Sequence, residues 1–419
     1  MSSVHSPPLQ VLVCGPGADP ESEPFRESIV RAFRGGDDGA GAYLADGADL
    51  GVDLREFRRS PGPADRADAL LDSALHSLVV ILADDSLLRD AAFLAWLNRC
   101  GEIATGGAPD DDDDDFFDGD APEPRHRVMV LELNDKAGDR LRADCPALAA
   151  VQGLYVGSLG ERAVRPALAG LVAVHLARVA LAGGVPPQPG ESDPAKLTFF
   201  VSHAKMDAQP IAFALAELIG RVPALKTFYD ANDIPPGSDF RKALWRGVHR
   251  SVLIVLRSEG YESRPWCRQE IHWAEECACP LVVVDLRARL VHPPSTLTLD
   301  QAPTARIPDG NLLRVLFLAV REGLRAGLLR RRVANLSDHG KLPPPGRVRV
   351  LPRRPGMLAL SRAARFLAKT DPSAPGAILY PDPPLPDAEG RAAEALVASI
   401  APAVFLRTPE SLHSDPLSP

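Results

Sequence analysis

The stretch Leu197-Thr198-Phe199-Phe200-Val201-Ser202-His203 decides the fold. Five mostly apolar residues run into two polar ones, the pattern of a buried strand whose carboxyl end meets a surface. The residues beyond it repeat the theme. Asp207–Arg221 has helical spacing, with Ile211, Leu215, Leu218 and Ile219 on one side. A short strand, Lys226–Tyr229, leads into the Pro/Gly-rich loop Asp230–Ser238. Helix Asp239–His249, strand Val252–Leu256, helix Pro265–Cys277 and strand Leu281–Asp285 follow. A long helix, Asn311–Arg332, closes the series and is basic at its end, where cations suit the helix dipole. Strands alternating with helices predict an α/β fold with a parallel sheet covered on both faces.

Residues 9–182 read the same way. Strand Leu9–Val13 is followed by helix Glu23–Phe33, helix Ala67–Leu75, strand Ser77–Leu82, helix Leu87–Cys100, strand Val128–Leu133, an edge strand at Gln152–Val156 and helix Arg165–Ala182. Residues 183–196 are rich in Pro and Gly and read as a linker. A second linker is expected at 335–346. A small α/β tail then occupies 347–419, with strands at Val348–Leu351, Ala377–Tyr380 and Val404–Leu406 and helices at Leu358–Ala368 and Glu389–Ile400. The expected division is therefore an α/β domain at 1–182, a second at 197–334 and the tail.

The two larger domains share a motif order. Leu75-His76-Ser77 before the strand ending at Leu82 parallels Val248-His249-Arg250-Ser251 before the strand ending at Leu256. Each strand leads through a serine-containing loop into a helix with a tryptophan, Trp96 or Trp266. This spacing argues for an internal repeat. Aligned on the tryptophans, Glu270 stands four residues past Trp266 and Cys100 four past Trp96. The first copy then lacks a carboxylate at that place.

Composition bounds the function. The 419 residues are 45% hydrophobic and 24% charged, ample for sizeable cores, and the 41 prolines fall largely in linkers and loops. A formal net charge of −8 disfavours broad nonspecific binding to nucleic acid. The start, Met1-Ser2-Ser3-Val4-His5, has no basic segment followed by a long apolar one, so no secretory leader is expected. Ala167–Ala182 is the longest apolar run and contains His175 and Arg178, which fits a buried helix better than a membrane span. A cytoplasmic protein, with no membrane contact, is the expectation. The six cysteines are scattered, and Cys277-x-Cys279 without a second pair is a poor zinc site. No metal is expected. Asp110–Asp115 reads as a solvated acidic insertion, since like charges at that density repel.

Taken together, the Leu197–His203 strand, the Asp233-Ile234-Pro235-Pro236-Gly237-Ser238 loop and Trp266-Cys267-Arg268-Gln269-Glu270 on a helix resemble a TIR (Toll/interleukin-1 receptor) domain over about 197–330. The resemblance implies a flavodoxin-like parallel sheet, and for the N-terminal domain a degenerate TIR-like copy. It further implies that a glutamate on the helix after the third strand, here Glu270, cleaves the nicotinamide–ribose bond of NAD⁺, with NAD⁺ as substrate and no cofactor. Self-association through TIR domains, an upstream sensor protein and a role in bacterial immune defence are implied alongside. So is the alternative of a non-enzymatic adaptor acting by TIR–TIR association.

The chemistry agrees with a carboxylate in that role. Nicotinamide leaves neutral from a cationic glycoside, and positive charge builds on the ribose; a nearby carboxylate stabilises that charge. Glu270 is four residues from Trp266, about 40° around a helix, so the two share a face. Ser202 and His203 end the first strand at the carboxyl edge, where open α/β sheets bind ligands. Two readings stand for His203: a contact to ribose or phosphate, or a cap on the following helix. Lys205 and Arg241 are candidates for the pyrophosphate, Tyr229 for stacking on a base, and Trp266 either for the substrate side or for packing under the loop as core. A Ser202–His203 hydrolase pair is set aside, because adjacent strand residues point to opposite faces and no Gly-x-Ser-x-Gly surrounds them.

Overall fold

The computed structural model describes residues 6–16, 20–34, 50, 52–62, 64–105, 125–182, 197–223, 225–228, 240–287, 299, 302–307, 310–370 and 374–414. The acidic run at 110–115, the expected linker at 183–196, the expected loop at 230–238 and Tyr229 lie outside them. The chain divides into two compact units, Met1–Pro186 and Pro187–Pro419.

In the first unit the strands are β1 (Leu9–Cys14), β2 (Val52–Phe57), β3 (Ser77–Ala83), β4 (His126–Glu132) and β5 (Gly153–Tyr155). They form one sheet in the order β2-β1-β3-β4-β5, and every pairing is parallel. β1 and β3 are buried along their whole length, as apolar strands covered by helices on both faces must be. The helices are α1 (Glu23–Arg34), α2 (Ala67–Leu71), α3 (Ala91–Thr105), α4 (Ala137–Asp144) and α5 (Arg165–Ala182). α5 is long and apolar enough to cross a membrane by composition, yet most of it is buried inside this unit. Gly170 lets it lie against α1: a Cβ there would meet the Ser28 carbonyl oxygen at 3.1 Å.

The second unit holds β6 (Leu197–His203), β7 (Leu225–Phe228), β8 (Val252–Arg257), β9 (Leu281–Asp285) and β10 (Thr304–Arg306). Their order is β10-β9-β8-β6-β7, again all parallel. Read from the second strand, both sheets run 2-1-3-4-5, the flavodoxin-like order. The helices are α6 (Lys205–Gly220), α7 (Phe240–His249), α8 (Pro265–Cys277) and α9 (Leu312–Asp338). α9 continues past the expected end at Arg332 and through the start of the expected linker. Its apolar stripe does not stop: Leu329, Val333 and Leu336 are buried at helical spacing against Ala377 and Leu379 of the tail.

The tail is a three-stranded parallel sheet, β11 (Val348–Val350), β12 (Gly376–Leu379) and β13 (Val404–Arg407), in that order. α10 (Met357–Thr370), α11 (Asp387–Ile400) and α12 (Pro409–Ser414) accompany it. The tail packs with the central sheet in one unit. Ala278, just past α8, joins the tail's core cluster, and Arg362 of α10 pairs with Glu276 of α8 at 2.9 Å.

Candidate active site

The site is built where β6 and β8 end. Parallel pairing sets Ser202 of β6 beside Val255 of β8. β8 continues to Arg257, which is buried and pairs through Nε with Glu262 at 2.7 Å. The chain then turns through Ser258 and Gly260 into a short 3₁₀ turn, Tyr261–Ser263. Gly260 is fixed from α6: its N–H donates to Asp207 Oδ2 at 2.9 Å, and a Cβ at Gly260 would stand 2.8 Å from that oxygen. A side chain there would displace the Asp207 carboxylate that holds the turn. Pro265 then opens α8 at a position where its missing N–H does no harm.

This turn delivers Tyr261 and Glu270 to the same place. Glu270 is only 8% exposed, in contrast to a solvated helix carboxylate. Ser202 donates its hydroxyl hydrogen to Glu270 Oε2. The Ser202 oxygen lies 2.5 Å from the Tyr261 hydroxyl, and both residues are buried. Serine has a single hydrogen to give, so the chain runs Tyr261 O–H to Ser202, then Ser202 O–H to Glu270. Burial pushes the Tyr261 hydroxyl well above its ordinary value, and the charge of Glu270 pushes it further, so Tyr261 stays a donor at neutral pH. The neighbouring Cys267 thiol is pushed up to about 12, by burial first and by Glu270 second. Its S–H points to the His203 carbonyl oxygen at 3.6 Å. The arrangement is a carboxylate at the carboxyl edge of a parallel sheet, oriented by a hydroxyl relay.

The remaining candidates separate from it. His203 is partly buried and its Nδ1 lies 3.2 Å from the carbonyl oxygen of Val201, two residues back; α6 has Ala204 at its N-cap and no side-chain cap bond, so His203 does not cap it. Trp266 is 47% exposed, not core, because it sits in the first turn of α8, ahead of the packed part. Arg241 is exposed on α7 and lines an open groove of about 470 Å³ between α7 and α8, with Trp245, Gln269 and His272. The structure thus brings together Ser202 and Glu270. Tyr261 is the residue the sequence reading missed; its signal was a tyrosine two residues before Ser263 in a turn after a buried strand, which periodicity does not score. Among the described residues no group of three or more metal-ligating side chains occurs.

The same register locates the equivalent positions in the first unit and corrects the tryptophan-based alignment. Cys14 pairs with Ile81, six residues before the 3₁₀ turn that begins at Leu87. Ser202 pairs with Val255, six before the turn that begins at Tyr261. Trp96 is the sixth residue of α3 and Glu270 the sixth of α8. Cys14, Leu87 and Trp96 therefore stand where Ser202, Tyr261 and Glu270 stand, and Trp96, not Cys100, takes the carboxylate's place. Cys14 and Leu87 are buried in one apolar cluster with Trp96 packed against it.

No curated protein and no solved structure matches this chain. Residues 199–307, from Phe199 in β6 to Ile307 just past β10, match the family model for the TIR domain, and the centre of the second unit is a TIR domain.

Proposed function

We propose that the TIR domain cleaves the nicotinamide–ribose bond of NAD⁺, as a hydrolase or cyclase, with Glu270 as the catalytic carboxylate. The observation that carries this reading is the buried Glu270, held by the Ser202 hydroxyl at the carboxyl edge of the sheet. A carboxylate oriented in advance needs no reorganisation when charge develops on the ribose, and burial strengthens its effect on that charge. Tyr261 and Ser202 are positioning residues, Trp266 is a wall for the substrate, and His203 stands near enough along β6 to meet a ribose or phosphate oxygen. Arg241 contributes from α7 toward the pyrophosphate, and Tyr229 is assigned the stacking contact to a base.

In this reading the protein works in the cytoplasm in bacterial defence or signalling. The first unit is a TIR-like, non-catalytic copy that takes input from an upstream sensor, with functional divisions at 1–182, 197–334 and 347–419. Activity follows self-association, because a neighbouring TIR domain excludes water from an otherwise open cleft. The adaptor reading, in which the TIR domain only assembles partners, has no use for a buried, hydroxyl-bound carboxylate. The experiment is to incubate the purified full chain with NAD⁺ across a range of protein concentrations and measure nicotinamide. Release that rises faster than protein concentration is expected; no release at any concentration leaves the adaptor reading.

A further inference from the structure

The first half of the tail is basic. Residues 339–370 hold eight lysines and arginines and no aspartate or glutamate, in a chain whose formal net charge is −8. Most of these cations fall on β11, on the turn after it and on α10. α10 buries Ala359, Leu360, Ala363, Ala364 and Leu367 in the tail's core. Its other face is exposed and carries Leu358, Arg362, Arg365, Phe366 and Lys369. Their helical spacing places all five on one stripe.

Phe366 is 45% exposed. The Arg349 guanidinium, from β11, lies 3.3 Å from its ring centroid, a cation–π contact that holds the ring at the surface. Few acids answer the cations. Arg362 pairs with Glu276 of α8, and Arg354 with Glu389 of α11 at 2.7 Å. Arg365 and Lys369 form no ion pair among the described residues. Burial first, and the charge of Arg362 second, draw the Arg349 guanidinium below its ordinary value. These cations crowd one another, and an arriving anion relieves the crowding.

We propose that this stripe, with Arg349, is a docking surface for single-stranded nucleic acid. The inference is independent of NAD⁺ cleavage. Phosphates pair with the cations and a base stacks at Phe366, the combination that sequence-tolerant single-strand binding uses. The ring needs an unpaired base, which a duplex does not offer. The negative charge of the whole chain confines binding to this face. A membrane surface is the poorer match. An interfacial helix gives its apolar face to lipid, and α10 gives its own to the tail's core. An acidic peptide matches the charge but leaves the ring without a flat partner.

The test is fluorescence anisotropy of a labelled, mixed-sequence single strand of about 12 nucleotides, titrated with the full chain across a salt series. Saturable binding is expected, weakening with salt by about 0.7 in log–log slope for each phosphate contact. Reversing two charges, in Arg365→Glu with Lys369→Glu, should weaken binding by about tenfold or more and lower the slope by about 1.4. The milder pair Arg365→Gln with Lys369→Gln should fall between that variant and the parent chain. Phe366→Ala should weaken binding about tenfold with the slope unchanged, because stacking releases no counterions. Arg391→Glu, which reverses a cation on α11, should change nothing, and circular dichroism checks the fold of each variant. No binding at low salt, or equal affinity in the parent chain and both double variants, would overturn the proposal. So would tighter binding to a duplex of the same length, to vesicles of phosphatidylserine and phosphatidylcholine in equal parts, or to polyglutamate.

Discussion

The two five-stranded sheets share one strand order and one parallel pairing pattern, yet they end differently at the edge where such sheets bind ligands. In the second unit that edge carries Ser202, Tyr261 and Glu270, joined by hydrogen bonds. In the first unit the equivalent places hold Cys14, Leu87 and Trp96, packed as core. The first unit also fills its edge from α1. Arg26 is buried, and its guanidinium donates to the Val13 carbonyl at 3.5 Å and to that of Gly15. The difference teaches that the fold supplies a location, while chemistry depends on a few side chains placed there. An apolar trio and a buried guanidinium occupy the places that hold the hydroxyls and the carboxylate in the second unit.

The largest expected effect comes from removing the carboxylate. Glu270→Gln keeps the side chain's shape and its bond to Ser202 but loses the charge. NAD⁺ cleavage should fall a few hundredfold, about 3–4 kcal/mol of transition-state stabilisation. A steady-state rate near that of the parent chain would end the assignment. Next comes the reverse exchange in the first unit. Trp96→Glu removes the packing of the indole and its bond from Nε1 to the Asp65 carbonyl at 2.9 Å, and sets a carboxylate against an apolar cluster. Denaturant unfolding should show a loss of about 2–3 kcal/mol with no gain of activity, since Cys14 and Leu87 offer no hydroxyl donors. A gain in nicotinamide release would erase the distinction between the two edges.

Smaller effects sharpen the comparison. Ser202→Ala leaves Glu270 without its donor and should lower turnover by about tenfold, or about 1.4 kcal/mol. Tyr261→Phe acts one step farther back and should cost less than Ser202→Ala. If Tyr261→Phe is the more damaging of the two, the relay order drawn from Tyr261 through Ser202 to Glu270 is wrong.

The smallest effect concerns Asp285 at the end of β9. Burial raises its carboxyl, but the hydrogen bonds and charge of Arg287, with the charge of Arg306, outweigh burial and hold it below its ordinary value. A carboxyl depressed on folding adds stability that is fully present above its unfolded value, about 4, and is lost as pH falls through the folded value. Asp285→Asn should therefore flatten the acid limb of the second unit's unfolding below about pH 4 and change little at neutral pH. An unchanged acid limb would remove Asp285 from the account.

Most of the architecture was legible because parallel strands buried on both faces are continuous apolar runs, as in Leu9–Val13, Ser77–Leu82 and Val252–Leu256. β2 was not legible. Its residues, Val52 to Phe57, include Asp53, Arg55 and Glu56, and none is fully buried, since β2 is an edge strand. β10 has three residues and no period to detect. At the site, Glu270 and Ser202 were legible by position along their elements. Tyr261 was not, because a turn residue gains its meaning only when strand pairing brings β6 and β8 side by side. The tryptophans misled for a related reason: Trp96 and Trp266 look alike in sequence but occupy the sixth and second positions of their helices.

The central claim is that NAD⁺ chemistry resides at one edge only. It is tested most directly by measuring nicotinamide release from the full chain, from Glu270→Gln and from Trp96→Phe in parallel, at matched concentration and with folding checked by circular dichroism. The account predicts that Trp96→Phe retains the activity of the parent chain while Glu270→Gln loses nearly all of it. Equal losses in the two variants, or release that survives Glu270→Gln, would contradict it.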